Sequence, residues 1–162
     1  MAAGKTTIGR HLARELGLDF VDTDELIVER SGPVAGLFAS VGEPGFREAE
    51  FEAVRAALAG PPAVIALGGG AVTHAPTRAL LAERALRVYL DIPIEAILAR
   101  LARSRTVRPL VGPSPSLERV RELLTEREPF YREADIVVSG PHRSKRTFAR
   151  EIARRIASHS SR

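Results

Sequence analysis

Ala63-Val64-Ile65-Ala66-Leu67-Gly68-Gly69-Gly70 is five apolar residues without alternation, stopped by three glycines. A run of that length and pattern predicts a strand covered on both faces, as in the parallel sheet of an α/β protein. Upstream, residues 43–59 read as a helix with Phe46, Phe51, Val54 and Leu58 apolar, ended by Gly60-Pro61-Pro62. Downstream, Pro76 opens a helix to about Arg84, Arg87 to Leu90 is a strand, and Pro93 starts a helix to about Arg103. Residues 104–115 hold three prolines and a glycine and read as a loop. Ser116 suits the cap of a long helix to about Glu133, Ile136–Val138 is a short strand, and a basic amphipathic helix covers about 144–158. Toward the N-terminus, Ile8, Leu12 and Leu16 mark a helix over 5–16, Asp19–Asp22 a strand, and 23–31 a helix ended by Gly32. Pro33 suits the first turn of a further short helix. Strands alternating with helices predict an α/β sheet with crossover connections.

The chain has 162 residues, enough for one domain with a core, expected to span 1–162. Aromatics are 5% and tryptophan is absent, so aliphatic residues fill that core. No apolar run reaches the length of a membrane span, and the first residues do not read as a secretory signal, so the expected location is the cytoplasm. Zero cysteines exclude disulfides and thiolate chemistry. Of the 24 basic residues 22 are arginine, dispersed among 20 acidic ones, without an aromatic platform for bases; a nucleic-acid partner is not expected. Histidines 11, 74, 142 and 159 show no ligand spacing.

Against that arginine background, Gly4-Lys5-Thr6 stands out. It is the tail of the pattern G-x-x-x-x-G-K-[ST], in which backbone N–H groups at a helix start hold phosphate oxygens, the lysine reaches the outer phosphates and the hydroxyl serves Mg²⁺. The first glycine of the pattern, and the strand that normally precedes it, would lie before Met1. Alone, the tripeptide is equally an ordinary helix start capped by Thr6 or Thr7. Asp22 and Asp24 follow a strand, at the sheet edge where α/β ligands bind, although an acidic pair at a helix start is also favoured by the helix dipole. Arg47 and Arg127 have guanidinium forks suited to a carboxylate, but either could equally serve a surface ion pair.

Taken in order, Gly4-Lys-Thr-Thr-Ile-Gly-Arg-His-Leu-Ala13, Asp22-Thr-Asp24, Phe46-Arg47-x-x-Glu50, Gly68-Gly-Gly70, Arg108-Pro-Leu110 and Arg127-x-Pro-x-Tyr131 resemble the shikimate kinase family over essentially the whole chain. The resemblance implies a phosphate-loop (P-loop) NTPase fold, an α/β three-layer sandwich around a parallel sheet ordered 2-3-1-4-5, with the first strand missing or truncated in the chain as given. It implies transfer of the γ-phosphoryl group of ATP to the 3-hydroxyl of shikimate, with Mg²⁺, in a protein expected to be a monomer.

Residue by residue, the resemblance implies that Ala2, Ala3, Gly4, Lys5, Thr6 and Thr7 hold phosphates and that Thr6 and Asp22 serve Mg²⁺. It implies that Asp24 accepts the substrate hydroxyl and that Arg47, Arg127 and Gly68, Gly69 and Gly70 bind the acceptor in a segment including 23–51. Arg108 would close over the phosphates from a lid at 104–115, and Arg100 and Arg143 would flank adenine. Glu50, one turn from Arg47, would brace it. Two other readings stay open: a gluconate kinase-like enzyme sharing the donor side, and an inactive nucleotide-binding remnant.

Overall fold

A computed structural model describes residues 3–103, 116–139 and 144–160. Ala2, Arg143 and the expected lid at 104–115, with Arg108, lie outside the described residues.

Helix α1 spans Lys5–Leu16 and begins at Gly4, whose φ of 92° is the left-handed backbone that favours glycine. Its buried Ile8 and Leu12 lie one turn apart. Gly17 ends it, its N–H bonding the carbonyl of Ala13. Strand β1 is Asp19–Asp22, and α2 is Thr23–Ser31, capped by the Asp22 carboxylate, which accepts from the N–H of Asp24 at 3.0 Å. The two helices expected after Gly32 are both present within Val34–Ala59, together labelled α3, and meet at Gly42, whose φ of 67° and ψ of −176° are not helical. Pro44 sits in the first turn of the second, where a missing N–H costs no helical bond.

Strand β2 is Ala63–Ala66, followed by the glycines, a 3₁₀ turn at Ala71–Thr73 and α4, Ala75–Arg84. Strand β3, Val88–Asp91, begins one residue later than the apolar pattern predicts. The Arg87 carbonyl still accepts from the N–H of Ile136 at 3.1 Å, but its own N–H bonds the Asp135 carboxylate at 2.8 Å, and its guanidinium binds the same carboxylate. Helix α5 is Ile94–Arg103, α6 Leu117–Arg132, β4 Ile136–Ser139 and α7 Lys145–Ser160. Ser116 caps α6 as expected, accepting from the N–H of Arg119 at 3.1 Å.

Among the described residues the strands form two parallel pairs. Asp19–Asp22 runs beside Ala63–Ala66, and Val88–Asp91 beside Ile136–Ser139. Counting the expected strand before the loop as first, these are the second–third and fourth–fifth pairs of the order 2-3-1-4-5. One helical layer spans both pairs: Ile8 and Leu12 of α1 and Phe148 and Ile152 of α7 share a core with Ile136 and Val138, packed against Val64, Val88 and Leu90. Separate cores join α5 to α6 and α2 to α3.

Candidate active site

The carboxyl end of β1 and the start of α1 meet through one hydrogen bond. Thr6 donates from Oγ1 to Oδ2 of Asp22 at 2.7 Å. The other Asp22 oxygen caps α2, so both oxygens of this buried carboxylate are oriented by the fold. Between the two aspartates, Thr23 is fully buried. Its hydroxyl donates to the carbonyl of Ala66 and accepts from the N–H of Gly68 at 3.1 Å. Thr23 thus ties the acidic edge of β1 to the point where β2 gives way to glycine.

Gly68 and Gly70 leave room for other residues. A Cβ on Gly68 would stand 2.8 Å from Oδ1 of Asp24 and would also run into Glu50. A Cβ on Gly70 would occupy the place of the Arg47 guanidinium. Any larger residue at either position would displace a charged side chain.

Arg47 and Glu50 lie on the buried face of α3, and Arg47 donates to Glu50 and, at 2.7 Å, to Glu43. Glu50 is 2% exposed, and burial pushes its carboxyl above the usual range, with Arg47 pulling the other way. The Gly69 carbonyl accepts from Nη1 of Arg127 at 3.3 Å and from the hydroxyl of Tyr131 at 2.5 Å. Burial raises the Tyr131 phenol as well. Arg127 is 5% and Arg47 7% exposed, which rules out a surface ion-pair role for both; Glu128 pairs with Arg132 instead. Among the described residues, Nε of Arg47 and Nε of Arg127 are buried without a hydrogen-bond partner. An unsatisfied buried donor is costly, so two of them on cations beside one glycine turn mark a place for an anionic acceptor.

The structure therefore gathers Asp24, Arg47, Arg127 and Gly68–Gly70 into one cluster and sets Gly4, Lys5, Thr6 and Asp22 at the neighbouring helix start. Thr7 is exposed on the first turn of α1. Arg100 reaches the loop itself: its Nη1 donates to the carbonyl of Ala3 at 2.7 Å. Three contributors were not singled out from the sequence. Glu43 stood at helical spacing from Arg47 and could have been found there. Thr23 and Tyr131 sat inside quoted motifs, but their bonds span 45 and 62 residues, which no local pattern reveals.

A helix start with a Gly-Lys-Thr loop at the carboxyl edge of parallel strands, facing an arginine-lined acceptor cluster, defines a phosphate-loop kinase of small molecules. The family profile for shikimate kinase matches residues 1–157. Shikimate kinase of Nitrobacter winogradskyi is 45% identical over 140 residues, covering 86% of this chain and 65% of the relative. That of Paracidovorax citrulli is 43% identical over 150 residues, covering 91% and 81%. The solved shikimate kinase of Acinetobacter baumannii in complex with shikimate superposes with a TM-score of 0.92 at 38% identity, covering 98% of this chain and 89% of that one. The chain belongs to the shikimate kinase family.

Proposed function

We propose that this chain transfers the γ-phosphoryl group of ATP to the 3-hydroxyl of shikimate. The observation that carries the acceptor side is the pair of buried, unpartnered Nε donors on Arg47 and Arg127, beside glycines whose missing side chains make the room. A carboxylate accepts charge-assisted hydrogen bonds from both guanidinium groups, which are stronger than those a neutral sugar hydroxyl accepts.

Phosphoryl transfer is chiefly positioning and charge neutralisation. Arg47, held by Glu43 and Glu50, and Arg127 anchor the acceptor carboxylate. Asp24, against Gly68, orients the attacking hydroxyl and takes its proton. Lys5 and the first-turn N–H groups of α1 bind the phosphates, and Arg108 adds charge from the segment 104–115. Arg100 steadies the loop through Ala3 while flanking the nucleotide. Thr6 Oγ1 and Asp22 Oδ2 are hard oxygen donors 2.7 Å apart, and no cluster of three acidic, His or Cys ligands occurs among the described residues. That set fits Mg²⁺, which is held by one or two protein oxygens together with phosphates. When bound, Mg²⁺ neutralises charge on the transferring group.

No helix among the described residues is long and apolar enough to cross a membrane. The proposal takes the chain as one domain acting as a cytoplasmic monomer. The test is ADP release measured with ATP–Mg²⁺ and either shikimate, shikimate methyl ester or gluconate. Turnover is expected with shikimate alone; equal turnover with the ester would sink the carboxylate reading.

A further inference from the structure

After the glycines the chain makes one 3₁₀ turn and enters α4, and each carbonyl from Gly68 to Thr73 has a donor. Gly68, Gly70 and Ala71 accept within the segment, from the N–H groups of Ala71, Thr73 and His74 at 3.2, 2.9 and 3.4 Å. Gly69 accepts from Arg127 and Tyr131 of α6. The ladder of α4 begins at the His74 carbonyl, which takes the N–H of Arg78 at 3.2 Å, so the carbonyls of Val72 and Thr73 fall outside it. One atom serves both: Nη1 of Arg78 donates to Val72 at 2.8 Å and to Thr73 at 3.0 Å. Side chains on a helix lean toward its N-terminus, which carries the Arg78 guanidinium back over the turn. The helix dipole disfavours a cation near that end, so the stability of α4 does not account for Arg78. Nor does an ion pair, because Glu133 is half exposed and stands 3.9 Å from Nε of Arg78.

The same guanidinium lies over the ring of Phe130, with Cζ 4.2 Å from the ring centroid. Phe130 sits on α6 between Arg127 and Tyr131. Helix α6 therefore grips the turn twice: directly at Gly69, and through Phe130 and Arg78 at Val72 and Thr73. Thr73 passes the second grip back to Gly70, whose carbonyl accepts from its N–H and, at 2.8 Å, from its hydroxyl. Gly70 in turn stands against the Arg47 guanidinium. We propose that Arg78 is a positioning residue for the acceptor: by clamping the exit of the glycine turn to α6, it fixes where Arg47 and Arg127 stand relative to each other. The proposal rests on the reading that these two arginines bind the acceptor carboxylate. Arg78 itself needs no contact with the acceptor. Without its clamp both arginines keep their own helices, but the turn between them is free to slide along α6, so the effect falls on acceptor binding.

The test is steady-state kinetics on three variants of the intact chain. Arg78→Met keeps an apolar stem and loses the donors, Phe130→Leu keeps the donors and loses the ring face, and the third carries both changes. Arg78→Met is expected to raise the KM for shikimate about tenfold, with the KM for ATP and kcat held within about twofold. Phe130→Leu should raise the same KM about threefold. The double variant should be no worse than Arg78→Met alone, because the ring acts only through the guanidinium. A purely structural residue would lower the melting temperature and spare KM. An unchanged KM for shikimate in Arg78→Met overturns the proposal, and so does an equal rise in KM for both substrates. Multiplying effects in the double variant also overturn it, because the ring and the guanidinium then act separately. If Arg78→Met does not fold, Phe130→Leu decides, and the absence of a selective rise there overturns the clamp. A parent chain without shikimate-dependent ADP release overturns the function and this inference with it, whereas an active parent with unaffected variants overturns this inference alone.

Discussion

The acceptor and donor sides are built differently. On the acceptor side, charged groups are buried and cross-braced: Glu50 and Glu43 hold Arg47, Tyr131 and Arg127 share the Gly69 carbonyl, and Thr23 pins Gly68. On the donor side, Thr6 and Thr7 are exposed, and the braces include the Thr6–Asp22 bond and the contact of Arg100 with Ala3. The difference teaches where each side gets its precision. Buried arginines hold their geometry because releasing them would strand a charge in low dielectric. The loop holds its geometry through backbone shape, with Gly4 in a left-handed conformation and the helix start behind it. Substitutions at the donor side should therefore cost turnover without stability, and those at the acceptor side should cost both.

The largest effect breaks the donor side. Lys5→Ala is expected to lower kcat by about 10³-fold or more, since it removes a preorganised charge from the transferring group. Its melting temperature should stay near the parent's, because the residue is only partly buried. Normal turnover in the coupled ADP-release assay would remove Lys5 from the site.

Arg47→Ala strikes the other side. It leaves Glu50 buried without its cation, and a loss of about 3 kcal/mol in urea unfolding is expected, together with a KM for shikimate raised about 10²-fold. The double variant Arg47→Met with Glu50→Leu sharpens the contrast. Stability should return while the acceptor KM stays high; return of both would show that Arg47 serves folding alone.

Gly70→Ala is gentler. The intruding methyl meets the Arg47 guanidinium, which must shift against its bonds to Glu43 and Glu50. A rise of about tenfold in acceptor KM is expected, with the KM for ATP nearly unchanged and a melting temperature lowered less than by Arg47→Ala.

The smallest effect is on pH dependence. Tyr89 stacks on Tyr131 with ring centroids 5.1 Å apart, and burial pushes its phenol up to about 12 from 10.0. The unfolded chain loses these protons first, so it binds fewer protons than the folded one between those values. Stability should be intact below pH 10 and fall as pH rises toward about 12. Tyr89→Phe should flatten that decline, as read from melting temperature against pH; an unchanged slope would assign it to other groups.

The elements were legible in the sequence wherever their causes are local. The 63–67 run, the Ser116 cap and the Ile8, Leu12 and Leu16 spacing each predicted their element to within a residue or two. Where a distant partner intervened the pattern was less informative: the N–H of Arg87 goes to the Asp135 carboxylate, 48 residues away, and β3 begins one residue later than its apolar run. The candidate site divides in the same way. Gly4, Lys5 and Thr6 act through their spacing on one turn, and spacing is visible in a string of letters. That Arg47 and Arg127 are buried, that both face one glycine turn with a donor unmet, and that Gly68 and Gly70 are small because Asp24, Glu50 and Arg47 fill their space are facts of volume and desolvation. The sequence by itself determined the donor chemistry, the alternation of strands and helices and the resemblance that names the family. Only the tertiary structure decided which charges lose their water together and which glycines stand against them, because burial belongs to what surrounds a residue and not to the residue itself.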